Sequence, residues 1–244
     1  MAQRRAHTTG AWGARTIRRA PTVPSVQAAA VIGAAARPGA GWDIAPEAVA
    51  AGTAGRRRTA RVLADLVTGT RLREAAVVLA GTVALALAAQ VAIPLPFTPV
   101  PLSLATLVVL LGGAALGPVR AGASFGLYAV LGVLGVPVFA GGGTGWAFGS
   151  FGYVLGYVAA GVLVGWLAAR GADRRWWSAA LIGLAGTAVV YALGLAWMVP
   201  WLGLSVREAW VMGVAPFLIG DALKIAVIAG VLPLTWQIAR PHHP

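Results

Sequence analysis

One stretch constrains this chain more than any other: Ile93-Pro94-Leu95-Pro96-Phe97-Thr98-Pro99-Val100-Pro101-Leu102. Four prolines fall within eight positions, separated by apolar side chains and one hydroxyl, with no charge. Proline lacks a backbone N–H and fixes φ, so this segment cannot be helix interior. Each residue before a proline is driven to extended geometry. Yet the flanks, 75–92 and 102–116, are among the most apolar parts of the chain. Non-helical backbone at membrane depth is tolerated only where protein buries it or where it lines a cavity. The loop is therefore expected to wall or lid a binding cavity, with the other helices arranged around it.

The apolar flanks call for a bilayer. Of 244 residues, 59% are hydrophobic and 11% charged, against about 25% charged in a soluble domain. Mean hydropathy is +0.79. With no cysteine, disulfides and thiolate metal sites are excluded. His7, His242 and His243 all lie near the ends of the chain, which disfavours metal and Ser–His schemes. No metal ligand set, cofactor or catalytic residue is expected.

A net charge of +12 could suggest nucleic acid, but its distribution points to a membrane. Twelve of the nineteen basic residues, all arginine, lie within residues 1–73. Residues 1–70 are rich in Arg, Ala, Gly and Pro and lack both helical periodicity and the continuous apolar core of a signal peptide. Two readings compete: a disordered basic cytoplasmic extension on an anionic inner leaflet, or an over-extended start with translation beginning near Val62 or Val67. A short amphipathic piece over 61–74 would lead into the first span.

Spans need about 20 apolar residues. The sequence predicts an all-α integral membrane domain over 71–240 with six: Glu74–Ile93, Pro101–Gly117, Arg120–Val136, Trp146–Arg170, Trp176–Pro200 and Trp210–Gln237. The second and third are short enough to be tilted or partly re-entrant. Arg71, Arg73, Arg120, Arg170, Arg174, Arg175 and Arg240 all fall on one set of connections. The alternate connections, 94–100, 137–145 and 201–209, carry only Arg207 and Glu208. The positive-inside rule then places both termini in the cytoplasm and the proline loop outside. Trp146, Trp176, Trp177, Trp201 and Trp210 sit at expected span ends, as interfacial anchors do.

Small residues form stripes: Ala76, Ala80, Ala84 and Ala88 on span one, and Gly152/Gly156 and Gly161/Gly165 on span four. Such ridges let helix backbones approach closely. They serve either packing within the bundle or, on span one, docking of another membrane subunit.

The chemistry concentrates in span six. Asp221 and the sole lysine, Lys224, stand three residues apart and so share one helix face. Charges within a span face a cavity or each other. The pair either neutralises itself or forms a polar site, Asp221 accepting from ligand N–H groups and Lys224 donating to a carbonyl or carboxylate. The run Phe139-Ala140-Gly141-Gly142-Gly143-Thr144-Gly145 lets backbone approach a ligand closely. No Gly-Lys-Ser/Thr follows it, so it is not a P-loop, and an ATP-driven pump would need its ATPase on another chain. Tyr153 either contacts ligand or anchors at the interface.

Ile93–Leu102, Leu116-Gly117-Pro118, Leu134-Gly135-Val136-Pro137-Val138-Phe139-Ala140-Gly141-Gly142 and Pro216-Phe217-Leu218-Ile219-Gly220-Asp221-Ala222-Leu223-Lys224 together resemble the BioY family, in order and spacing over about 72–238. That family is the biotin-binding S component of energy-coupling-factor (ECF) transporters. The resemblance implies six transmembrane helices, biotin bound near the outer face and a cap formed by the loop between spans one and two. It also implies a transmembrane coupling subunit and cytoplasmic ATPases as partners, met through an Ala-rich face of span one. The stripe Ala76/Ala80/Ala84/Ala88 is similar to that face. The family's Gly-Pro-Thr-Gly-Gly-Tyr is here Gly149-Ser150-Phe151-Gly152-Tyr153, without the proline, and Tyr153 aligns with the family tyrosine.

Biotin suits the residues. Its ureido ring has two N–H donors and a carbonyl, its thiophane ring and tail are apolar, and the tail ends in a carboxylate. The expected substrate site comprises Asp221, Lys224, Tyr153, Phe97, Thr98, Gly142 and Trp146, with Phe97 and Trp146 as apolar covers. The expected function is biotin uptake at the cytoplasmic membrane, with an S component for another vitamin or a stand-alone facilitator as the alternative. An intramembrane enzyme using Asp221 as acid or base would lack a second carboxylate deep in a span and any histidine there.

Overall fold

The computed structural model describes residues 62–66 and 69–239. The basic extension up to residue 61, together with Arg240 and the histidines, lies outside the described residues. A 3₁₀ turn, Leu63–Leu66, precedes helix α1 (Arg71–Gln90). The chain continues through β1 (Ala92–Ile93), β2 (Leu102–Ser103), α2 (Ala105–Leu116), α3 (Pro118–Val133) and α4 (Phe151–Ala168). It then forms α5 (Trp176–Leu202), the short α6 (Val206–Gly213) and α7 (Leu218–Ala239).

Among the described residues, four stretches are long and apolar enough to cross a membrane: Arg71–Gln90, Phe151–Ala168, Trp176–Leu202 and Val206–Ala239. α2 and α3 have 12 and 16 residues. At 1.5 Å per residue they reach about 18 and 24 Å, short of the ~30 Å hydrocarbon core. Six helices fit the expected bundle, two of them short.

Local chemistry moves the ends of the expected spans. Span one stops at Gln90 rather than Ile93, because Ala92 and Ile93 pair antiparallel with Ser103 and Leu102. That pairing also delays α2 from Pro101 to Ala105. α3 begins earlier than expected: Pro118 occupies its first turn, where a missing N–H costs nothing, after Gly117 turns the chain at φ 79°. Trp146 precedes α4 instead of opening it. α5 runs past Pro200 to Leu202, since a proline in the last turn removes only one ladder bond, and Gly203 (φ 65°) ends it.

Span six was expected to start at Trp210, but that residue belongs to the separate helix α6. Ser205 and Glu208 close a capping box there: the Ser205 hydroxyl accepts from the Glu208 N–H, and the Glu208 carboxylate accepts from the Ser205 N–H. Pro216 then forces a break, Ala215–Phe217, before α7.

α4 is the axis of the bundle. Its span is 56% buried, against 17% for α1. The two glycine pairs of α4 serve different neighbours. Gly152 and Gly156 face the α5 backbone at Val190, Leu193 and Gly194. Gly161 faces Phe125 of α3, and Gly165 meets the backbone of the α2–α3 turn. On α1, Ala76, Ala80 and Ala84 are exposed, whereas Ala88 turns into the core.

Candidate functional site

The proline segment folds as the tip of the β1–β2 ribbon, continuous with the end of α1 and the start of α2. Thr98 stabilises the tip: its Oγ1 accepts from the Val100 N–H at 3.1 Å. Beneath lies a cavity of about 410 Å³, within the ~300–1,000 Å³ typical of small-molecule sites. Pro94, Leu95, Thr98, Pro99, Val100 and Pro101 line one side. Opposite stand Gln90 of α1, Tyr128 of α3, the 139–143 segment, and Tyr153 and Tyr157 of α4. The loop read from its prolines therefore does wall a cavity.

One side chain joins the two walls. Gln90 Nε2 donates to the carbonyls of Val138 (3.1 Å) and Phe139 (3.0 Å), and its Oε1 accepts from the Gly142 N–H (3.2 Å). Gly141 and Gly142 have φ of 66° and 75°, a region that glycine enters without a Cβ clash, so their amides can turn toward Gln90. Phe139 anchors the segment by edge contacts to Tyr128 and Phe151.

A second chamber, about 30 Å³, adjoins the first and shares Val100, Pro101, Ser103, Tyr153 and Tyr157 with it. Asp221 and Lys224 line it, with Thr187 and Tyr191 of α5. Lys224 Nζ stands 3.0 Å from Asp221 Oδ1, and the Tyr191 hydroxyl donates to Oδ2. Both side chains of the ion pair are largely buried, 8% and 11% exposed. A carboxylate offers about four acceptor positions and an ammonium three donors. Each retains capacity for a ligand after these bonds are made.

The remaining expected site residues scatter. Tyr153 lines both spaces, but its hydroxyl donates to the Gly213 carbonyl at 2.8 Å, bolting α4 to the end of α6. That bond commits the hydroxyl's proton to the fold. Thr98 lies on the lining. Phe97 is 56% exposed and lies outside it. Gly142 is held by Gln90, while Gly141 and Gly143 line the cavity. Trp146 is half exposed and packs edge-on against Trp201 (6.0 Å), away from both spaces.

Sequence reasoning missed Gln90, Tyr157 and Tyr191. Each is a polar tip within an otherwise apolar helix, and that isolation was the available signal. Gly122-Ala123-Ser124-Phe125-Gly126 has the spacing of a nucleophile elbow, which requires a strand-to-helix turn. Ser124 instead lies buried inside α3. Among the described residues no group of three His, Cys, Asp or Glu could hold a metal ion.

Comparison with known proteins agrees with this geometry. The BioY family model matches residues 56–241. A probable biotin transporter BioY of Pyrococcus horikoshii is 36% identical over 130 residues, covering 52% of this chain and 75% of that protein. The biotin transporter BioY of Rhodobacter capsulatus is 36% identical over 163 residues (62% and 85%). That of Thermotoga maritima is 31% identical over 140 residues (56% and 81%). The crystal structure of the S-component for biotin from an ECF-type ABC transporter superposes with a TM-score of 0.62 at 20% identity, over 70% of this chain and 95% of that one. The fold is thus shared with a solved S-component. With the family model covering most of the chain, the protein belongs to the BioY family.

Proposed function

We propose that this chain is the substrate-binding S component of a biotin uptake system in the cytoplasmic membrane. It captures biotin at the outer face, and an ECF module powers delivery inward. The observation that carries this reading is the adjoining pair of spaces in a BioY-family chain: an apolar, aromatic cavity under a proline-stiffened loop, beside a small chamber lined by Asp221 and Lys224. The apolar part suits the thiophane ring and tail, and the ion pair suits a group with both donors and acceptors. Asp221, Lys224, the Tyr153 ring and Thr98 are the proposed contacts, with Gln90 holding the walls together. Phe97, Gly142 and Trp146 stay peripheral unless the loop moves over the ligand. A loop stiff in its closed form loses less entropy on trapping a ligand.

The reading includes an orientation and partners. Both termini lie in the cytoplasm by the positive-inside rule, and residues 1–70 form a basic cytoplasmic extension to the 71–240 domain. The exposed face of α1, with Ala76, Ala80 and Ala84 among Leu79, Val83 and Leu87, meets the membrane coupling subunit, which links to cytoplasmic ATPases. Ala88 faces inward and supports packing instead.

Radiolabelled biotin binding to the purified full chain tests the substrate. Submicromolar binding, displaced by unlabelled biotin, is expected; no binding below micromolar concentrations removes the substrate assignment. For the partner face, Ala84→Trp is expected to keep biotin binding and abolish co-purification with the coupling subunit. Persistent co-purification would count against that face.

A further inference from the structure

We propose that the end of the bundle opposite the cavity carries a binding groove for one anionic phospholipid of the inner leaflet, seated between the first turn of α5 and the last turns of α7. The leaflet rests on the orientation proposed above; the groove does not. The space measures about 680 Å³. Arg174, Arg175, Trp176 and Trp177 form its head end, and Gly230, Pro233 and Leu234 of α7 form its apolar length. At Gly230 a side chain would meet nothing within 4 Å, so the groove reaches the α7 backbone there.

Charge selects the occupant. Within 170–175 stand three arginines and one carboxylate, Asp173. Asp173 is fully buried, and its Oδ2 accepts from the Trp236 indole at 2.5 Å. Burial pushes that carboxyl above its ordinary value, and three arginines still outnumber it in the segment. Arg174 is held with its guanidinium 4.8 Å from the centre of the Trp236 ring, and Arg175 has no ion-pair partner among the described residues. Arg175 is also the N-cap of α5 and supplies no side-chain cap bond, so the positive end of that helix faces the same region. Guanidinium groups match phosphate oxygens in a two-point geometry. Trp176, 70% exposed, and Trp177 sit where indoles favour the headgroup boundary. An acyl chain would then lie along Gly230, Pro233 and Leu234.

Native mass spectrometry of the full chain, released from detergent containing equimolar phosphatidylglycerol and phosphatidylcholine, tests this. One phosphatidylglycerol should be retained over phosphatidylcholine by about tenfold or more, taking roughly fivefold per arginine. Arg174→Gln combined with Arg175→Gln should equalise the two lipids. Gly230→Leu occupies open space, so it should fold normally and lose the retained lipid of either kind. Gly126→Leu, at an equally open glycine on α3, should retain it. Absence of preference in the wild type, or undiminished retention by Gly230→Leu, overturns the proposal. So does loss of a coupling subunit from Gly230→Leu at unchanged lipid retention, which would assign the groove to protein. Retention does not depend on sidedness. Orientation is read separately from Arg170→Cys, the only thiol in the chain, with an impermeant maleimide on whole cells. Labelling from outside overturns the inner-leaflet assignment even where phosphatidylglycerol is preferred.

Discussion

Two clusters of charged side chains occupy opposite ends of this molecule, and they differ in what surrounds them. Near the cavity, Asp221 and Lys224 pair within one helix, nearly sealed from solvent, with Tyr191 completing the carboxylate. At the other end, Arg120 bridges Glu74 of α1 (2.6 Å) and Asp65 of the preceding turn (2.8 Å), with the carboxylates a third or more exposed. The exposed cluster joins elements distant in sequence and so has an evident structural task. The Asp221–Lys224 bridge joins residues already on one helical turn, so the bridge itself fastens nothing that the helix does not hold; the tie to α5 is the separate Tyr191 bond to Asp221. Burying two charges costs more than an exposed pair, and apolar side chains of similar size often do as well or better. A pair that is costly and mechanically redundant points to a ligand.

The largest expected effect breaks the buried pair. Asp221→Ala leaves Lys224 uncompensated in an apolar setting and should cost about 3–5 kcal/mol of stability, seen as a lowered Tm in detergent, together with loss of biotin binding. Tyr191→Phe removes one bond to the same carboxylate; a penalty of about 1–3 kcal/mol is expected, and biotin Kd should rise roughly tenfold. Gln90→Leu unlinks α1 from the 138–142 carbonyls and amide. Stopped-flow release of bound biotin should accelerate about fivefold, in line with ~1 kcal/mol for the bonds lost, with little change in Tm. Arg120→Gln should shift stability by under about 1 kcal/mol, as partly exposed pairs do, and leave biotin Kd unchanged. A large loss of binding in Arg120→Gln would erase the contrast between the two ends.

The features legible in sequence were those encoded locally. Proline chemistry alone marked 93–102 as non-helical, and Asp221 and Lys224 share a face by helical spacing. Pairings across distance were not legible. Tyr191 lies 30 residues from Asp221, and Gln90 lies 48 to 52 residues from its partners in the glycine segment. Only the packing of α5 on α7 and of α1 on the 139–143 turn brings them together. Hydropathy likewise reported which stretches are apolar but not where backbone bonds change pattern. Leu102 and Ser103 look like the start of a span yet pair as a strand. Trp210 looks like a span end, yet Pro216 cuts α6 away from α7. The bond from the Tyr153 hydroxyl to the Gly213 carbonyl, 60 residues away, was likewise not legible, because it ends on a helix that composition did not resolve.

The central claim, that the buried pair serves a ligand rather than the fold, is tested most directly by one double variant. Asp221→Asn combined with Lys224→Met removes both charges at nearly constant volume. Equilibrium binding of radiolabelled biotin and thermal unfolding are then measured on the same preparation. A Tm equal to or above that of the wild type, with biotin binding weakened by at least a hundredfold, is the predicted result. Wild-type affinity in that double variant would contradict it.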